Sequence, residues 1–392
     1  MKPKKIKEGV YWAGAEDWDR RLFDSLIPLP DGTSYNAYIV KGRDKTALID
    51  TVDPAKARTL LTFLDSLERL DYIVAQHAEQ DHSGTIPAVL KKFPSAMVVS
   101  TPKGKEFLAD LLELPPEAIT TVADNETLDL GGKTLEFLHT PWVHWPETMS
   151  TYLKEDAILF TCDLFGSHLA SSNIYVEDIA KVCEASKRYY AEVMMPFRST
   201  IKKHMERFDK LRIDIIAPSH GPVHRDPKCI MDYHREWASD KLSNTVVIPY
   251  ATMHGSTEAL VERLTDCLVE KGVFVDRFNT AVTDAGKLAM SLVDAPTIVF
   301  GTPTILIGAH PFVAQAAFMV NALRPKVKFA SVVGSYGWGG KAVEQIISAL
   351  SGMKAEILAP VAVKGRPKEA DYENIERLAS DIVSRHNGLG LI

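Results

Sequence analysis

The spacing of apolar residues along the chain changes near residue 240. Before that point, short runs rich in β-branched and aromatic residues stand among patterns with a helical period, which predicts an α+β domain. The predicted strands of this first part are Tyr38–Ile49, Tyr72–Ala75, Ala96–Ser100 and Ile158–Thr161. Its predicted helices are Leu60–Arg69, Ile86–Phe93 and one that includes Glu184–Tyr190.

From Asn244 onward, short apolar strands alternate regularly with amphipathic helices. The predicted strands are Thr245–Pro249, Val273–Arg277, Thr297–Phe300, Lys328–Val333 and Glu356–Pro360. The predicted helices are Ser256–Glu270, Lys287–Val293, one that begins near Phe312, Lys341–Leu350 and Asp371–Arg385. Because parallel strands need crossover helices between them, this order predicts an α/β domain with a five-stranded parallel, doubly wound sheet.

The chain of 392 residues exceeds the usual size of one domain. Polar residues interrupt the apolar pattern over 238–244. We therefore predict two domains, 1–242 and 243–392. No long flexible linker separates them, so we expect the domains to pack together.

One segment, Ala295–Leu323, contains no Asp, Glu, Lys or Arg and is long enough to span a membrane. Gly301, Pro303, Gly308 and Pro311 break it at short intervals. A short strand, a loop and a buried helix explain this pattern better than a membrane span.

Composition narrows the possible functions. The net charge is −6, so bulk electrostatic binding of nucleic acid or of an anionic membrane is not expected. The four cysteines are scattered and form no CxxC pair, which argues against a disulfide framework or a zinc finger. The basic amino terminus has no apolar stretch behind it and is not a secretory signal. A cytoplasmic enzyme fits these features.

Three loops of the second part follow strand ends, where doubly wound sheets bind their ligands. Thr252–Thr257 combines small hydroxyl residues with the start of a helix, which together form an anion site. Gly301–Gly308 is the second loop, and Gly334–Gly340 adds glycines and two aromatic side chains suited to a flat ring. Each loop taken alone is also explained by helix capping or by surface packing.

These three loops on strands one, three and four resemble those of flavodoxin. The resemblance implies FMN, with its phosphate on the first loop and its isoalloxazine between the second and third. One departure concerns the second loop, which has Ile305, Leu306 and Ile307 where related flavoproteins often have asparagines. The FMN-binding residues implied are Thr252, Met253, His254, Gly255, Ser256, Thr257, Pro303, Thr304, Ile305, Leu306, Gly308, Ser335, Tyr336, Gly337, Trp338 and Gly339.

The first part carries a dense set of potential metal ligands just after the strand Tyr72–Ala75. His77, Glu79, Asp81 and His82 fall within six residues. Imidazole and carboxylate ligands without a thiolate suit iron, manganese or zinc. The alternative is a polar loop with acidic helix caps, since short motifs give false positives.

Three further potential ligands, His144, Asp163 and His220, also follow predicted strands. Each alone is explained as a loop residue or a helix cap. Their order resembles that of the metallo-β-lactamase fold, an αββα sandwich with metals at one edge. Hydrolases of that fold usually have the motif HxHxDH, whereas this chain has Glu79 at the third position, and a carboxylate there favours iron over zinc.

Joined to a flavodoxin-like half, this pattern is identified as that of the flavodiiron (A-type flavoprotein) family. The resemblance covers essentially the whole chain and includes 32–38 and 145–149. It implies that His77, Glu79 and His144 hold one iron, that Asp81, His82 and His220 hold the other, and that Asp163 bridges them. In some members the histidine at the position of His82 swings away.

The resemblance also points to Tyr189 and Tyr190 as catalytic residues, one of which would donate a hydrogen bond to a bound substrate. The alternative for each is a packed helix aromatic. The remaining histidines, including His168, are assigned structural or surface roles by default.

Two ferrous ions and reduced FMN together carry four electrons, enough to reduce O2 to water, and two of them suffice to convert two NO to nitrous oxide. We therefore expect a reductase of O2 and/or NO that draws on an external donor such as rubredoxin or a reduced deazaflavin. The family also implies a head-to-tail homodimer or a dimer of dimers. The alternatives are a zinc hydrolase fused to a flavodoxin module, an electron carrier with an inactive first domain, and an NO sensor.

Overall fold

The structure is a computed structural model that describes residues 2–392; Met1 lies outside the described residues. The chain forms two compact units. The first unit comprises the residues up to Tyr190 together with 197–238, and the second comprises 191–196 together with 239–392. The domain boundary at 242/243 stays a prediction.

The first unit contains sixteen short strands among the described residues. They are β1 (Lys4–Lys7), β2 (Val10–Trp12), β3 (Ala15–Asp17), β4 (Leu22–Phe23), β5 (Ile27–Pro28), β6 (Thr33–Tyr35), β7 (Tyr38–Lys41), β8 (Thr46–Ile49), β9 (Tyr72–Val74), β10 (Met97–Ser100), β11 (Ile119–Thr121), β12 (Thr127–Asp129), β13 (Thr134–His139), β14 (Met149–Leu153), β15 (Ile158–Cys162) and β16 (Ile215–Pro218).

Seven α-helices connect these strands in the described part of the first unit. They are α1 (Ala57–Leu64), α2 (Gln80–Ser83), α3 (Ile86–Lys92), α4 (Pro102–Leu112), α5 (Ile179–Tyr189), α6 (Arg198–Phe208) and α7 (Pro227–Ala238). Helix α5 begins earlier than its predicted part because Asp178 caps it, accepting hydrogen bonds from the amides of Ala180 and Lys181.

Two sheets form the centre of the first unit. One has the order β1-β2-β7-β8-β9-β10-β11 and is parallel from β8 to β11; the other has the order β12-β13-β14-β15-β16. A single apolar core contains buried residues of both sheets, among them Ile49, Val74, Phe137 and Phe160. The predicted αββα sandwich is confirmed.

The segment predicted as the single strand Tyr38–Ile49 is a hairpin. Strands β7 and β8 pair antiparallel around the polar turn between Lys41 and Thr46. A one-strand prediction was wrong here because the apolar run on each side of a tight polar turn has the same alternation as one long strand.

The second unit alternates strands and helices as expected. Its elements in chain order are β17 (Thr245–Tyr250), α8 (Ser256–Glu270), β18 (Phe274–Asn279), α9 (Ala285–Ser291), β19 (Thr297–Ile305), β20 (Gly308–Ala309), α10 (Pro311–Leu323), β21 (Phe329–Tyr336), α11 (Ala342–Ala349), β22 (Glu356–Ile357), β23 (Val361–Lys364) and α12 (Glu369–Gly388).

The main sheet of this unit has the order β18-β17-β19-β21-β22, with β23 continuing alongside β21. All of these pairs are parallel, and the order reverses at β17, which confirms the doubly wound sheet. The fifth strand is split into β22 and β23, because Pro360 between them lacks a backbone donor.

The uncharged segment Ala295–Leu323 forms β19, the short return strand β20 and α10. The predicted strand and helix are present, but β19 runs on to Ile305 and pairs with β20 where the sequence predicts a loop. Throughout residues 2–392, no helix combines the length and the apolar character that a membrane crossing requires.

Candidate metal centre and flavin site

The metal-ligand candidates begin where β9 ends, in the interior of its sheet. The amide of Gln76 donates to Asp50 Oδ1 at 2.8 Å, and the Gln76 side chain donates to Asp50 Oδ2 at 2.8 Å. The short helix α2 follows and turns Asp81 and His82 into the interior. The strand end therefore fixes the backbone, and one helical turn directs successive side chains to the same pocket.

His77, Glu79, His144 and Asp163 form one group of side chains whose donor atoms lie close together. Glu79 Oε2 lies 3.0 Å from Nε2 of His77 and 3.1 Å from Nε2 of His144. Asp163 Oδ2 lies 3.6 Å and 3.4 Å from the same two nitrogens. Two imidazoles and two carboxylates therefore converge on one point.

Asp81, His82 and His220 form a second group. Asp81 Oδ2 lies 3.1 Å from Nε2 of His220, and Asp81 Oδ1 lies 3.4 Å from Nε2 of His82. Asp163 Oδ1 lies 3.1 Å from Nε2 of His82 and 3.4 Å from that of His220. The ring nitrogen Nε2 of His82 faces the group rather than away from it.

Asp163 therefore belongs to both groups, one carboxylate oxygen to each. Neither of its oxygens has a well-formed hydrogen bond from any described residue, although both are buried, and the same holds for both oxygens of Asp81. Buried carboxylate oxygens without donors are costly unless a cation satisfies them. Two imidazoles and one carboxylate per group, with no thiolate, suit non-haem iron.

The pKa shifts in both groups agree with a role in binding metal cations. Burial alone would lower the pKa of His144, but the neighbouring carboxylates of Asp163 and Glu79 raise it to about 9. Burial likewise opposes protonation of His220, while Asp163 and Asp81 raise its pKa to about 10. Burial raises the pKa of Asp163, yet the surrounding imidazoles, His82 foremost, hold it well below its ordinary value. Without metal, the protonated histidines supply the positive charge that a bound metal cation would otherwise supply to these carboxylates.

Two of the histidines that face the ligand groups with Nε2 are also fixed by a hydrogen bond from Nδ1. Nδ1 of His77 donates to Glu147 Oε1 at 2.6 Å, and Nδ1 of His220 donates to the carbonyl of Ser34 at 2.7 Å. The residue pattern of the sequence does not indicate a role for Glu147. The only signal for it was its place in the family-like run 145–149. Behind His82, Asp50 and Cys162 form a third close set of donor atoms.

The two predicted catalytic tyrosines lie in different surroundings. The ring centroid of Tyr189 is 5.9 Å from that of His220, and burial, followed by Asp163 and Asp81, raises its pKa well above the ordinary value. Tyr190 instead packs against Trp237 and His234, at 5.5 Å and 5.9 Å. Its hydroxyl has no partner among the described residues. A catalytic role for Tyr190 finds no support in these contacts.

His168 is a buried neighbour of the second group that the sequence left without a role. Its ring centroid lies 5.0 Å from that of His220 and 4.8 Å from that of Tyr189. Nδ1 lies 2.9 Å from Thr33 Oγ1, and Nε2 has no partner within the described chain. Burial, then His220, lowers its pKa well below the ordinary value, so this imidazole is neutral. Nothing in the spacing of the sequence marks it.

In the second unit, a cavity of about 160 Å³ opens at the carboxyl ends of β17, β19 and β21. Its lining includes most of the first loop with parts of the other two. The lining residues are Thr252, Met253, His254, Ser256, Thr257, Pro303, Thr304, Ser335, Tyr336, Gly337 and Gly365. Ten of these eleven are predicted FMN-binding residues; Gly365 comes from the loop after β23, which the sequence did not indicate.

The first loop leaves the start of α8 open to an anion. Gly255 precedes the helix with a φ of 84°, and among the described residues no side chain caps the helix. The amide of Gly255 donates to Thr252 Oγ1 at 3.1 Å. The hydroxyls of Thr257 and Ser335 lie 2.9 Å apart and join the first loop to the third. Free amides at a helix N-terminus beside hydroxyl groups suit a phosphate.

A second cavity of about 440 Å³ lies between the second and third loops, with Thr304, Tyr336, Gly339 and Gly340 in its wall. A side chain at Gly340 would collide with Thr304, so glycine keeps this wall open. The predicted residues outside the linings of both cavities are Gly255, Ile305, Leu306, Gly308 and Trp338. Leu306 and Trp338 are 90% and 78% exposed, and each lies two positions after a lining residue, Thr304 and Tyr336.

Comparison with known proteins agrees with both units. Residues 33–221 match a family model described as ODP family beta lactamase, and residues 248–377 match the Flavodoxin model. A nitric oxide reductase of Moorella thermoacetica is 34% identical over 98% of this chain and 98% of its own length. A rubredoxin-oxygen oxidoreductase of Megalodesulfovibrio gigas is 30% identical over 97% of this chain and 98% of its own.

Solved structures are similar over the whole chain. A crystal structure of the flavodiiron protein from Giardia intestinalis is similar with a TM-score of 0.92 and 29% identity, covering 99% of this chain and 97% of its own. Since full-length relatives at 30% identity or more share both units in the same order, this chain belongs to the flavodiiron (A-type flavoprotein) family.

Proposed function

We propose that this protein reduces O2 to water and/or NO to nitrous oxide at a non-haem diiron centre, with electrons relayed through FMN from an external donor. The observation that carries the proposal is the position of Asp163. One of its oxygens faces His77 and His144, and the other faces His82 and His220. A shared carboxylate places two cations side by side, as a reaction on small diatomic molecules requires.

In this proposal the first iron is held by His77, Glu79 and His144, and the second by Asp81, His82 and His220, with Asp163 as the bridge. The two sets of contacts described above support the division. His82 is included because its Nε2 lies 3.1 Å from Asp163 Oδ1.

Two ferrous ions and reduced FMN, when bound, supply the four electrons that reduction of O2 to water needs. The chain's own residues hold the ligand groups in position. Tyr189 is buried with a raised pKa, so its phenol keeps its proton and is available as a hydrogen-bond donor toward a substrate near His220. Tyr190 is assigned a packing role.

The FMN phosphate is placed at Thr252–Thr257, and the isoalloxazine is placed in the cavity between the second and third loops. The open N-terminus of α8 supports the first placement. The glycine-lined wall at Gly339 and Gly340, beside Tyr336, supports the second. Gly365 joins the predicted set as a lining residue.

The donor and the assembly are also part of the proposal. The electron donor is proposed to be rubredoxin or a reduced deazaflavin. Rubredoxin forms part of the name of one relative, the rubredoxin-oxygen oxidoreductase. A head-to-tail homodimer, alone or as a dimer of dimers, is proposed. It is supported by exposed apolar side chains near both sites in sequence: Leu306 and Trp338 in the flavin loops, and Trp142, 52% exposed, two positions before His144.

The domain boundary is proposed at 242/243, and a cytoplasmic location is proposed as well. Four cysteines without a disulfide support a reducing compartment.

The test is anaerobic stopped-flow mixing of the fully reduced protein with O2 and, separately, with NO. Iron, zinc and FMN are quantified on the same sample. We expect two irons and one FMN per chain, and reoxidation of the flavin by at least one gas within seconds. Comparable rates with both gases would show a bifunctional enzyme.

A sample with zinc in both positions, whose flavin is reoxidised by neither gas, would contradict the proposal. That result would favour the zinc hydrolase alternative, which finds no support in the relatives named above.

A further inference from the structure

The two metal-ligand groups differ in what stands behind their histidines. In the first group, Nδ1 of His77 donates to a carboxylate, Glu147 Oε1, at 2.6 Å. In the second, Nδ1 of His220 donates to a neutral carbonyl, that of Ser34, at 2.7 Å. Each group combines two imidazoles, one carboxylate and one oxygen of Asp163. Asp50 also lies close behind His82 of the second group, but it accepts its described hydrogen bonds from Gln76 and Ser219. The direct hydrogen bond from a ligand histidine to a carboxylate is therefore the difference between the groups that matters here.

Glu147 is built into its position. It is 2% exposed, and besides His77 its Oε1 accepts a hydrogen bond from the amide of Ala78 at 3.0 Å. The hydroxyl of Thr101, which caps α4, donates to the backbone carbonyl of Glu147 at 2.9 Å. Its second oxygen, Oε2, has no partner among the described residues. A buried carboxylate of this kind needs a nearby positive charge, which an imidazole bound to a cation provides.

A hydrogen bond to a carboxylate fixes the tautomer of a metal-binding histidine and makes its other nitrogen a stronger donor. With Nδ1 carrying the proton toward Glu147, Nε2 of His77 is left free to bind a metal. A stronger donor stabilises the higher charge of a ferric ion more than that of a ferrous ion. A carbonyl partner, as behind His220, has a smaller effect because it is uncharged.

We propose that Glu147 is a positioning residue that acts through His77 and gives the iron of the first group the lower reduction potential of the two. This inference rests on the proposed diiron function. It makes the two irons unequal, with the ferric state favoured at the His77 group and the ferrous state favoured at the His220 group.

The expected shift in reduction potential can be sized from residues in other proteins that hydrogen-bond to a metal ligand. Their removal typically weakens metal binding by about 10–100-fold. If the loss falls on the ferric form alone, a tenfold change shifts a one-electron potential by about 59 mV. The potential rises, because the oxidised form is the one that loses support.

The experiment is a potentiometric titration of the holoprotein, with the iron followed by electron paramagnetic resonance and the flavin by absorbance. In Glu147→Gln we expect the lower of the two diiron potentials to rise by about 59 mV or more, by the same relation. The upper diiron potential should move less, and the FMN potentials should stay in place as an internal control. Unchanged diiron potentials in a variant that holds two irons would overturn the proposal.

Thr101→Val is the matched control, because it removes a hydrogen bond to the backbone of Glu147 and leaves the carboxylate intact. Its potentials should equal those of the unaltered protein. An equal shift in Thr101→Val and Glu147→Gln would mean that displacement of the loop, and not the carboxylate, sets the potential, and the proposal would fail.

Glu147→Asp decides the outcome if Glu147→Gln does not hold iron. It keeps the charge at a shorter reach, so the same potential should rise by a smaller amount, and no rise would overturn the proposal. The unaltered protein separates this inference from the proposed function. Absence of iron or of gas reduction there contradicts the function, whereas equal variant potentials in an active diiron protein contradict only the role of Glu147.

Discussion

Asp163 Oδ1 lies 3.4 Å from Nε2 of His220, and both side chains are buried. The other oxygen of Asp163 lies 3.4 Å from Nε2 of His144, in the other ligand group. A carboxylate whose two oxygens face separate pairs of imidazoles is the feature on which a two-metal site depends.

The first prediction concerns this carboxylate. In Asp163→Asn one oxygen is replaced by an amide nitrogen, which does not bind iron, so the content should fall from two irons per chain to one or fewer. Elemental analysis of the purified protein measures this, with circular dichroism as a check on folding. Asp110→Asn, an exposed change on α4, is the control and should keep two irons. Full occupancy in Asp163→Asn would argue against the bridge.

The second prediction is a pH dependence of metal uptake. Without metal, the raised pKa values of about 9 for His144 and about 10 for His220 keep both protonated at neutral pH. Bound metal must displace these protons, so affinity should rise about tenfold per pH unit for each proton released. Competition between the metal-free protein and a chelator for cobalt(II), from pH 6 to pH 9, measures it. A flat profile would contradict the prediction.

The same pKa shifts bear on the stability of the metal-free protein. A histidine whose pKa is raised on folding stabilises the fold fully below its ordinary value of 6.5, and this contribution is lost as pH rises toward 9 and 10. The midpoint of urea unfolding of the metal-free protein should therefore fall between pH 6.5 and pH 9. The metal-loaded protein is the control and should show a smaller decline, because its histidines are already deprotonated.

The third prediction tests whether His82 is a ligand. Its Nε2 lies 3.1 Å from Asp163 Oδ1 and 3.4 Å from Asp81 Oδ1. His82→Asn should lower iron to about one per chain, because it removes one of the second group's two imidazoles. His139→Asn, a histidine outside both groups, should keep two irons. Normal iron content in His82→Asn would leave the second iron to Asp81, His220 and Asp163.

The fourth prediction separates the neighbouring tyrosines. Tyr189→Phe removes a phenol close to His220 and should lower kcat/KM for the gas that the protein reduces by about tenfold, since one hydrogen bond contributes about 1.4 kcal/mol. Tyr190→Phe should leave the rate unchanged. It should also raise the free energy of unfolding by about 1 kcal/mol, because a buried hydroxyl without a partner is removed. Stopped-flow rates and urea titrations measure both; an equal loss of rate in the two variants would be contrary to this assignment.

The fifth prediction concerns FMN. Thr257→Val removes the hydroxyl that meets Ser335 in the wall of the smaller cavity and should raise the Kd for FMN about tenfold, the effect of losing one charge-assisted hydrogen bond. Thr265→Val, further along α8, serves as the control. It removes a hydroxyl that donates a hydrogen bond to the carbonyl of Val261 in the same helix. Fluorescence titration of the FMN-free protein measures both constants. A change of equal size in both variants would indicate a general effect on the helix.

Much of the second unit could be predicted from local pattern. Helix α8 has the predicted bounds, because an apolar stripe and a glycine before its first residue define it. The break of the fifth strand was missed although Pro360 marks it in the sequence. The lining role of Gly365 was not predicted, since it depends on how β23 meets its neighbour β21. The exposure of Leu306 was likewise not predicted, because it belongs to an apolar run that resembles a buried segment.

The sequence alone determined the alternation of strands and helices in the second unit, the two-domain composition and the residue types available as ligands, because these follow from periodicity and from the chemistry of single side chains. In the first unit it indicated only four strand segments, since most of the sixteen strands described there are too short to show a period. The tertiary structure decided which side chains share a point. Pairing of β15 with β16 brings Asp163 beside His220, 57 positions later in the sequence, as their numbers show. It also directed Tyr189 toward the ligands and Tyr190 away from them, placed Glu147 behind His77, and buried His168 near His220. Such contacts join residues far apart in sequence, and no local pattern encodes them.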